Sequence, residues 1–169
     1  MKVLMHMCCA PCAIEPISIL KDEKISFEGF FYNPNIHPID EYERRRDTLK
    51  ELEKKSKIKV NYINAFLQDT WESFEGETKD RCNMCYYMRL REAALFARDN
   101  SFDAFTTTLL ISPYQNHDMI VDMAKRCESL TGVEFFYRDF RKVFRQGQNK
   151  AREMGLYRQK YCGCIKSIR

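Results

Sequence analysis

The chain has 169 residues, of which 44% are apolar and 13% aromatic. That is enough to bury one hydrophobic core, and it excludes an intrinsically disordered chain. The net charge is only +4, and no segment approaches the roughly 20 apolar residues of a membrane span, so no membrane partner is expected.

Met1–Cys8 carries a short apolar run broken by His6, with no small-residue cleavage site behind it, unlike a signal peptide. A cytoplasmic protein is expected, with residues 1–169 forming a single domain. The charge is unevenly placed. From Glu134 onward ten Lys or Arg stand against three Asp or Glu, compared with 18 against 21 in the first 133 residues. The basic, cysteine-containing C-terminal segment, about residues 138–169, suits a phosphate-rich partner.

In chain order, Lys2–Met7 reads as a short buried strand and Ala13–Asp22 as a helix that tolerates Pro16 near its start. Ile25–Tyr32 alternates and then runs apolar, as a strand entering a core does, and Asn33-Pro34-Asn35-Ile36-His37-Pro38 closes it as a turn. Asp40–Lys57 has helical spacing, with Tyr42, Leu49 and Leu52 on one face and Arg44-Arg45-Arg46 read as part of a solvated face. Lys59–Asn64 is a third strand, and a polar loop around Asp69–Asp80 leads to a strong helix from about Arg81 to Asn100. Ala104–Thr107 is a fourth strand, Asp118–Ser129 a helix, and Val133–Tyr137 a fifth strand.

Strands alternating with helices imply parallel βαβ units. The expected fold is α/β: a three-layer α/β/α sandwich with an open parallel sheet of about five strands and right-handed crossovers. In such sheets ligands gather beyond the carboxyl ends of the strands. The segments Cys8–Cys12, Asn33–Pro38, the loop leading to Cys82, and Thr106–Gln115 each follow a strand, so all four are expected at one edge.

Seven of the eight cysteines fall into three knots: Cys8-Cys9-Ala10-Pro11-Cys12, Cys82-Asn83-Met84-Cys85 and Cys162-Gly163-Cys164. In a reducing compartment such clustering points to metal or redox chemistry rather than staples. Cys127 stands alone in a helix and reads as a small buried hydrophobe. Cys82 and Cys85, three apart, share a face at the expected N-terminal turn of their helix, where the macrodipole would favour thiolates.

Consecutive Cys8 and Cys9 would strain to reach one zinc ion, whereas a four-iron cluster accepts neighbours on different irons. A zinc-binding RNA-interacting module and a thioredoxin-like disulfide oxidoreductase using Cys9 and Cys12 are the alternatives. The Cys162-Gly163-Cys164 spacing permits a strained, labile disulfide, or two further metal ligands. With four cluster positions filled, three thiols remain for a second site or for redox shuttling.

Together these residues resemble the cobalamin-independent epoxyqueuosine reductase family, QueH. The resemblance is carried by His6-x-Cys8-Cys9-Ala10-Pro11-Cys12, Asn33–Pro38, Arg81-Cys82-x-x-Cys85-Tyr86, Thr106–Gln115 and Gly155–Cys164. It implies a single catalytic domain related to the adenine-nucleotide α-hydrolase-like (HUP-like) sandwich. It also implies the last step of tRNA queuosine biosynthesis: two-electron deoxygenation of the epoxide of epoxyqueuosine at the wobble position. The cluster, a [4Fe-4S] centre, would be held by Cys8, Cys9, Cys82 and Cys85. Cys162 and Cys164 would be the redox-active, catalytic pair, and Cys12 would help hold an additional mononuclear iron.

The partners implied are the anticodon loop of a queuosine-type tRNA and an electron donor that the resemblance does not identify. Proton donors are sought among His6, His37, His117 and Tyr114, with Asp69, Glu77 and Asp118 as carboxylate candidates. Arg138, Arg141, Lys142, Arg145, Lys150 and Arg152 are expected to track phosphates, with Tyr157 or Phe144 stacking on a base.

Overall fold

A computed structural model describes residues 1–168, so Arg169, the end of the expected basic segment, lies outside the described residues. Five parallel strands form one sheet in the order β3-β2-β1-β4-β5: β1 (Lys2–His6), β2 (Ser26–Phe31), β3 (Val60–Tyr62), β4 (Ala104–Thr107) and β5 (Glu134–Phe135). β1 is central because its side chains are apolar on both faces, with Leu4 entering one core and Met5 and Met7 the other. It pairs with β2 from Lys2↔Ser26 to His6↔Phe30 and with β4 from Val3↔Ala104 to His6↔Thr107. The edge strands β3 and β5 pair on one side only, and they span three and two residues, shorter than the hydrophobic runs that contain them.

Helices α1 (Ala10–Asp22) and α2 (Ile39–Ser56) bury their apolar faces in one core, where α6 (Phe144–Glu153) also packs. Helices α4 (Thr78–Asp99) and α5 (His117–Thr131) cover the other face. This is the expected three-layer α/β/α sandwich. Two helices were not expected from the sequence: the short α3 (Gln68–Glu72) in the polar loop, and α6, which packs beside α1. Gly147 permits that approach, since a Cβ there would meet the Pro11 carbonyl at 3.1 Å.

Two helix starts differ from expectation, and both move chemistry. α1 begins at Ala10, because proline is accommodated in a first turn where its missing N–H is not needed. Cys9 is therefore the N-cap and Cys12 lies in the first turn. α4 begins at Thr78, so Cys82 and Cys85 sit beyond its first turn. The strand order reverses between β2 and β4 around β1, and Cys8 follows β1 at that switch point.

Candidate metal centre

His6 closes β1, fully buried. Its Nδ1 lies 2.9 Å from Thr107 Oγ1 on β4, and its Nε2 lies 3.0 Å from Asn33 Oδ1 beyond β2. Burial lowers its pKa from the usual 6.5 to about 4, so the ring is neutral. Asn33 in turn donates to the Met7 carbonyl at 3.0 Å. These bonds tie together three chain segments at the point where the first cysteine knot begins.

The Sγ atoms of Cys8, Cys9 and Cys12 lie within 4.8 Å of one another. The Cys8 backbone N–H donates to Thr108 Oγ1 at 3.1 Å, and the Cys8 sulfur lies 3.2 Å from the same hydroxyl. Hydrogen bonds from the Cys12 and Cys9 thiols hold Cys8 well below the ordinary thiol range, while burial pushes Cys9 up and the bond to Cys8 pushes Cys12 up. From the C-terminal segment, Gln159 Nε2 donates to Cys9 Sγ at 2.7 Å.

A second set of thiols lines an adjoining pocket. Cys82 and Cys85 face it from α4, and Cys162 and Cys164 from the chain end, with Trp71 and Arg89 between them. Burial pushes both α4 thiols up. The helix-end stabilisation expected for Cys82 and Cys85 is therefore absent, because their helix starts at Thr78 and both thiols lie beyond its first turn. The α-helical N-terminus instead underlies Cys9 and Cys12.

The Cys162–Cys164 turn is held by the Asn33–Pro38 segment and by α2. His37 N–H donates to the Gly163 carbonyl at 2.8 Å, and Ile165 N–H donates to His37 Nδ1 at 3.0 Å. His37 Nε2 lies 3.0 Å from the Pro34 carbonyl, which completes a neutral ring with a defined tautomer. Arg45 donates to the carbonyls of Cys162 and Tyr161 at 3.1 and 2.9 Å, and pairs with Glu41 at 3.0 Å. Arg45 is only 3% exposed, so the solvated-face reading of that arginine is corrected. It lies three residues after Tyr42 and four before Leu49, on the apolar face of α2, and this spacing was the signal that could have found it.

His6 and His37 are therefore framework groups, with both ring nitrogens engaged. His117 pairs with the Tyr137 hydroxyl at 2.8 Å, on the start of α5. Three of the expected phosphate-tracking residues are neutralised: Arg138 by Glu23, Arg141 by Asp139 and Lys150 by Glu15. Glu23 follows the last turn of α1, at the sheet edge opposite the thiols, so Arg138 points away from the site. The cations on the wall of the thiol pocket are Arg81 and Arg89. Arg158 and Lys160 flank Gln159, and Arg44 stacks 4.8 Å from the centre of the Tyr157 ring.

The residues present fit an iron–sulfur cluster. Seven thiols converge on one sheet edge, and thiolate sulfur is the donor such clusters take. Trp71 Nε1, near the Cys85 sulfur, is buried without a hydrogen bond of normal geometry, as is Asn35 Oδ1 on the same pocket wall. An indole N–H is only a donor, and cluster sulfur would satisfy it. Cys127, by contrast, is fully buried in the α4–α5 core, as expected for a structural residue.

Fold and site together define a doubly wound α/β protein with a thiol centre at its topological switch point. The family model described as "Epoxyqueuosine reductase QueH" matches residues 3–169, and the chain belongs to that family. An epoxyqueuosine reductase QueH of Thermotoga maritima is 36% identical over 176 residues, covering 98% of this chain and 90% of the relative. Those of Dehalococcoides mccartyi and Acinetobacter baylyi are 30% and 35% identical, covering 98% and 99% of this chain and 92% and 81% of theirs. Among solved structures, the U34-tRNA thiolase NcsA from Methanococcus maripaludis with its [4Fe-4S] cluster is similar in fold, with a TM-score of 0.55 at 12% identity. That match covers 99% of this chain, which spans 61% of the thiolase chain.

Proposed function

We propose that the chain is an epoxyqueuosine reductase, acting as one catalytic domain in the cytoplasm on the anticodon loop of a queuosine-type tRNA. Membership of the family named for this reaction, together with seven cysteines converging at the switch point, carries the reading. Among the described residues no helix is long and apolar enough to cross a membrane, and all eight cysteines are free thiols, in keeping with a reducing compartment.

Cys8, Cys9, Cys82 and Cys85 would hold a [4Fe-4S] cluster, which when bound supplies electrons singly. Cys12, beside Cys8 and Cys9 and touched by the Gln159 amide at 3.8 Å, would help hold an additional iron.

Removing an epoxide oxygen takes two electrons and two protons, and gives an alkene and water. Cys162 and Cys164 hold both as a dithiol: oxidation to the disulfide releases two electrons and two protons, which balances the reaction. A donor outside the chain then restores the dithiol. Both line the pocket, Cys162 exposed and Cys164 buried, so Cys162 would be the sulfur open to the incoming base. The bonds from Arg45 and His37 orient this pair. A base acted upon must leave its stack, and Tyr114, 85% exposed beside the pocket residue Gln115, offers a ring for it. Arg158 and Lys160, the sequence neighbours of Gln159, and Arg44, stacked on Tyr157, would meet the flanking phosphates.

The test is anaerobic incubation with epoxyqueuosine-containing tRNA and a strong reductant, followed by nucleoside mass spectrometry. Conversion to queuosine supports the reading, and unconverted epoxide with a fully iron-loaded protein refutes it.

A further inference from the structure

Arg89 lies on α4 one turn beyond Cys85 and is 4% exposed. Its Nη2 donates to Cys85 Sγ at 3.2 Å, and its Nε donates to the Cys85 carbonyl at 3.2 Å. The guanidinium carbon lies 5.8 Å from the centre of the Tyr86 ring. Among the described residues, no carboxylate lies within 4.0 Å of Arg89.

That is an unusual position for an arginine. A guanidinium keeps its proton in a protein, and a buried charge needs a counter-charge or a dense set of hydrogen bonds. The other deeply buried arginine on this edge, Arg45, follows the rule, with Glu41 at 3.0 Å and two backbone carbonyls. Arg89 has sulfur instead, and it shares the pocket wall with Cys82, Cys85, Cys162 and Cys164. Arg81, 9% exposed, lines the same wall, again with no carboxylate within 4.0 Å among the described residues. The pocket is thus furnished with fixed positive charge and no fixed negative charge on the same wall. The cysteines on this wall supply negative charge once a bound metal takes the place of their protons.

We infer that Arg89 is the resident counter-ion of the thiolate centre, a positioning residue whose fixed charge and N–H to sulfur raise the reduction potential of the cluster. The inference rests on the cluster reading above. Its logic is electrostatic. Each electron added makes the thiolate-bound centre more negative, and a cation buried in a low dielectric stabilises the reduced form most. Hydrogen bonds to ligand sulfur act in the same direction.

The test compares wild type, Arg89→Lys and Arg89→Gln after anaerobic reconstitution. Iron is counted, and the cluster midpoint is read by electron paramagnetic resonance during a dye-mediated redox titration. Arg89→Lys keeps the charge, and is expected to load the same iron and titrate close to wild type. Arg89→Gln keeps a neutral donor, and is expected to shift the reduced-to-oxidised ratio at fixed potential by about tenfold, roughly 59 mV downward for a one-electron couple.

Loss of iron binding in Arg89→Gln with full loading in Arg89→Lys also supports the inference, because a cation of different shape then suffices at this position. An unchanged midpoint in iron-loaded Arg89→Gln overturns it. So does Arg89→Lys failing in the same way as Arg89→Gln, which would assign the role to guanidinium shape. Wild-type protein that takes up no iron overturns the cluster reading itself, and this inference with it.

Discussion

The Arg45 guanidinium on α2 donates to the Cys162 carbonyl at 3.1 Å, across 117 residues of chain. A buried cation, already neutralised by Glu41, is thereby used to hold the backbone of the C-terminal cysteine turn. Replacing Arg45 by Ala would leave Glu41 buried without its partner and free both carbonyls. Breaking a buried pair costs about 3–5 kcal/mol. For a chain of this size that corresponds to a fall in melting temperature of roughly 6–20 °C, measurable by calorimetry. A melting temperature unchanged from wild type would remove Arg45 from this role.

Gly163 occupies φ +123°, where a Cβ would meet Arg45 Nη1 and Ile36 Cγ1 at 3.2 Å. Gly132, the left-handed cap of α5 at φ +77°, has nothing within 4 Å of its Cβ position. Gly132→Ala should therefore cost only backbone strain, about 1 kcal/mol, and Gly163→Ala about 2–3 kcal/mol, since it also displaces the clamp. Urea midpoints at constant m-value separate the two. Equal costs would show that the contact with Arg45 carries no weight.

Much of this was legible in the sequence. Alternating strands and helices announced the parallel sheet, and the position of the first two cysteine knots after strands placed their thiols on one edge. What was missed has a common cause. Arg45, Arg89 and Gln159 are polar residues, and pattern reading assigns such residues to solvent. Arg45 lies at helical spacing from Tyr42 and Leu49, and Arg89 from Cys82 and Cys85, so both share a buried face whose chemistry hydropathy does not record. Gln159 belongs to an irregular segment, where no periodicity exists to predict that its amide reaches Cys9. The helix expected from Ala13 begins three residues earlier, because the missing N–H of Pro11 costs nothing in a first turn.

His37 couples pH to the same clamp. Its Nδ1 accepts from Ile165 N–H, which requires a neutral ring, and burial lowers its pKa below the usual 6.5. The unfolded chain therefore binds a proton that the folded chain refuses, so stability is full above about pH 6.5 and is lost as pH falls towards the lowered folded value. Denaturant titrations across that window should show a slope that falls by up to one proton, about 1.4 kcal/mol per pH unit, in His37→Gln. An identical slope in both proteins would deny His37 this part.

Tyr114 is 85% exposed and meets Phe144 edge-on at 5.7 Å, on a loop pinned by the Tyr86–Gln115 and Tyr114–Ser112 hydrogen bonds. If the ring stacks on a base, Tyr114→Ala should weaken tRNA binding by about 5- to 150-fold, from the roughly 1–3 kcal/mol of a base–aromatic stack. Tyr114→Phe should stay close to wild type in both binding and turnover. A Phe variant that binds but does not turn over would instead make the hydroxyl a proton donor.

The thiols gathered beyond β1 and on α4 are expected to hold a metal cluster, and Cys127, buried where α4 meets α5, is not. The direct measurement is iron content and visible absorption of anaerobically reconstituted single variants. Cys8→Ser, Cys9→Ser, Cys82→Ser and Cys85→Ser are each expected to lose most of the cluster absorption, and Cys127→Ala is expected to keep iron and colour at wild-type levels. Full iron and an unaltered spectrum in Cys82→Ser and Cys85→Ser, or their loss in Cys127→Ala, would show that the cluster is held elsewhere.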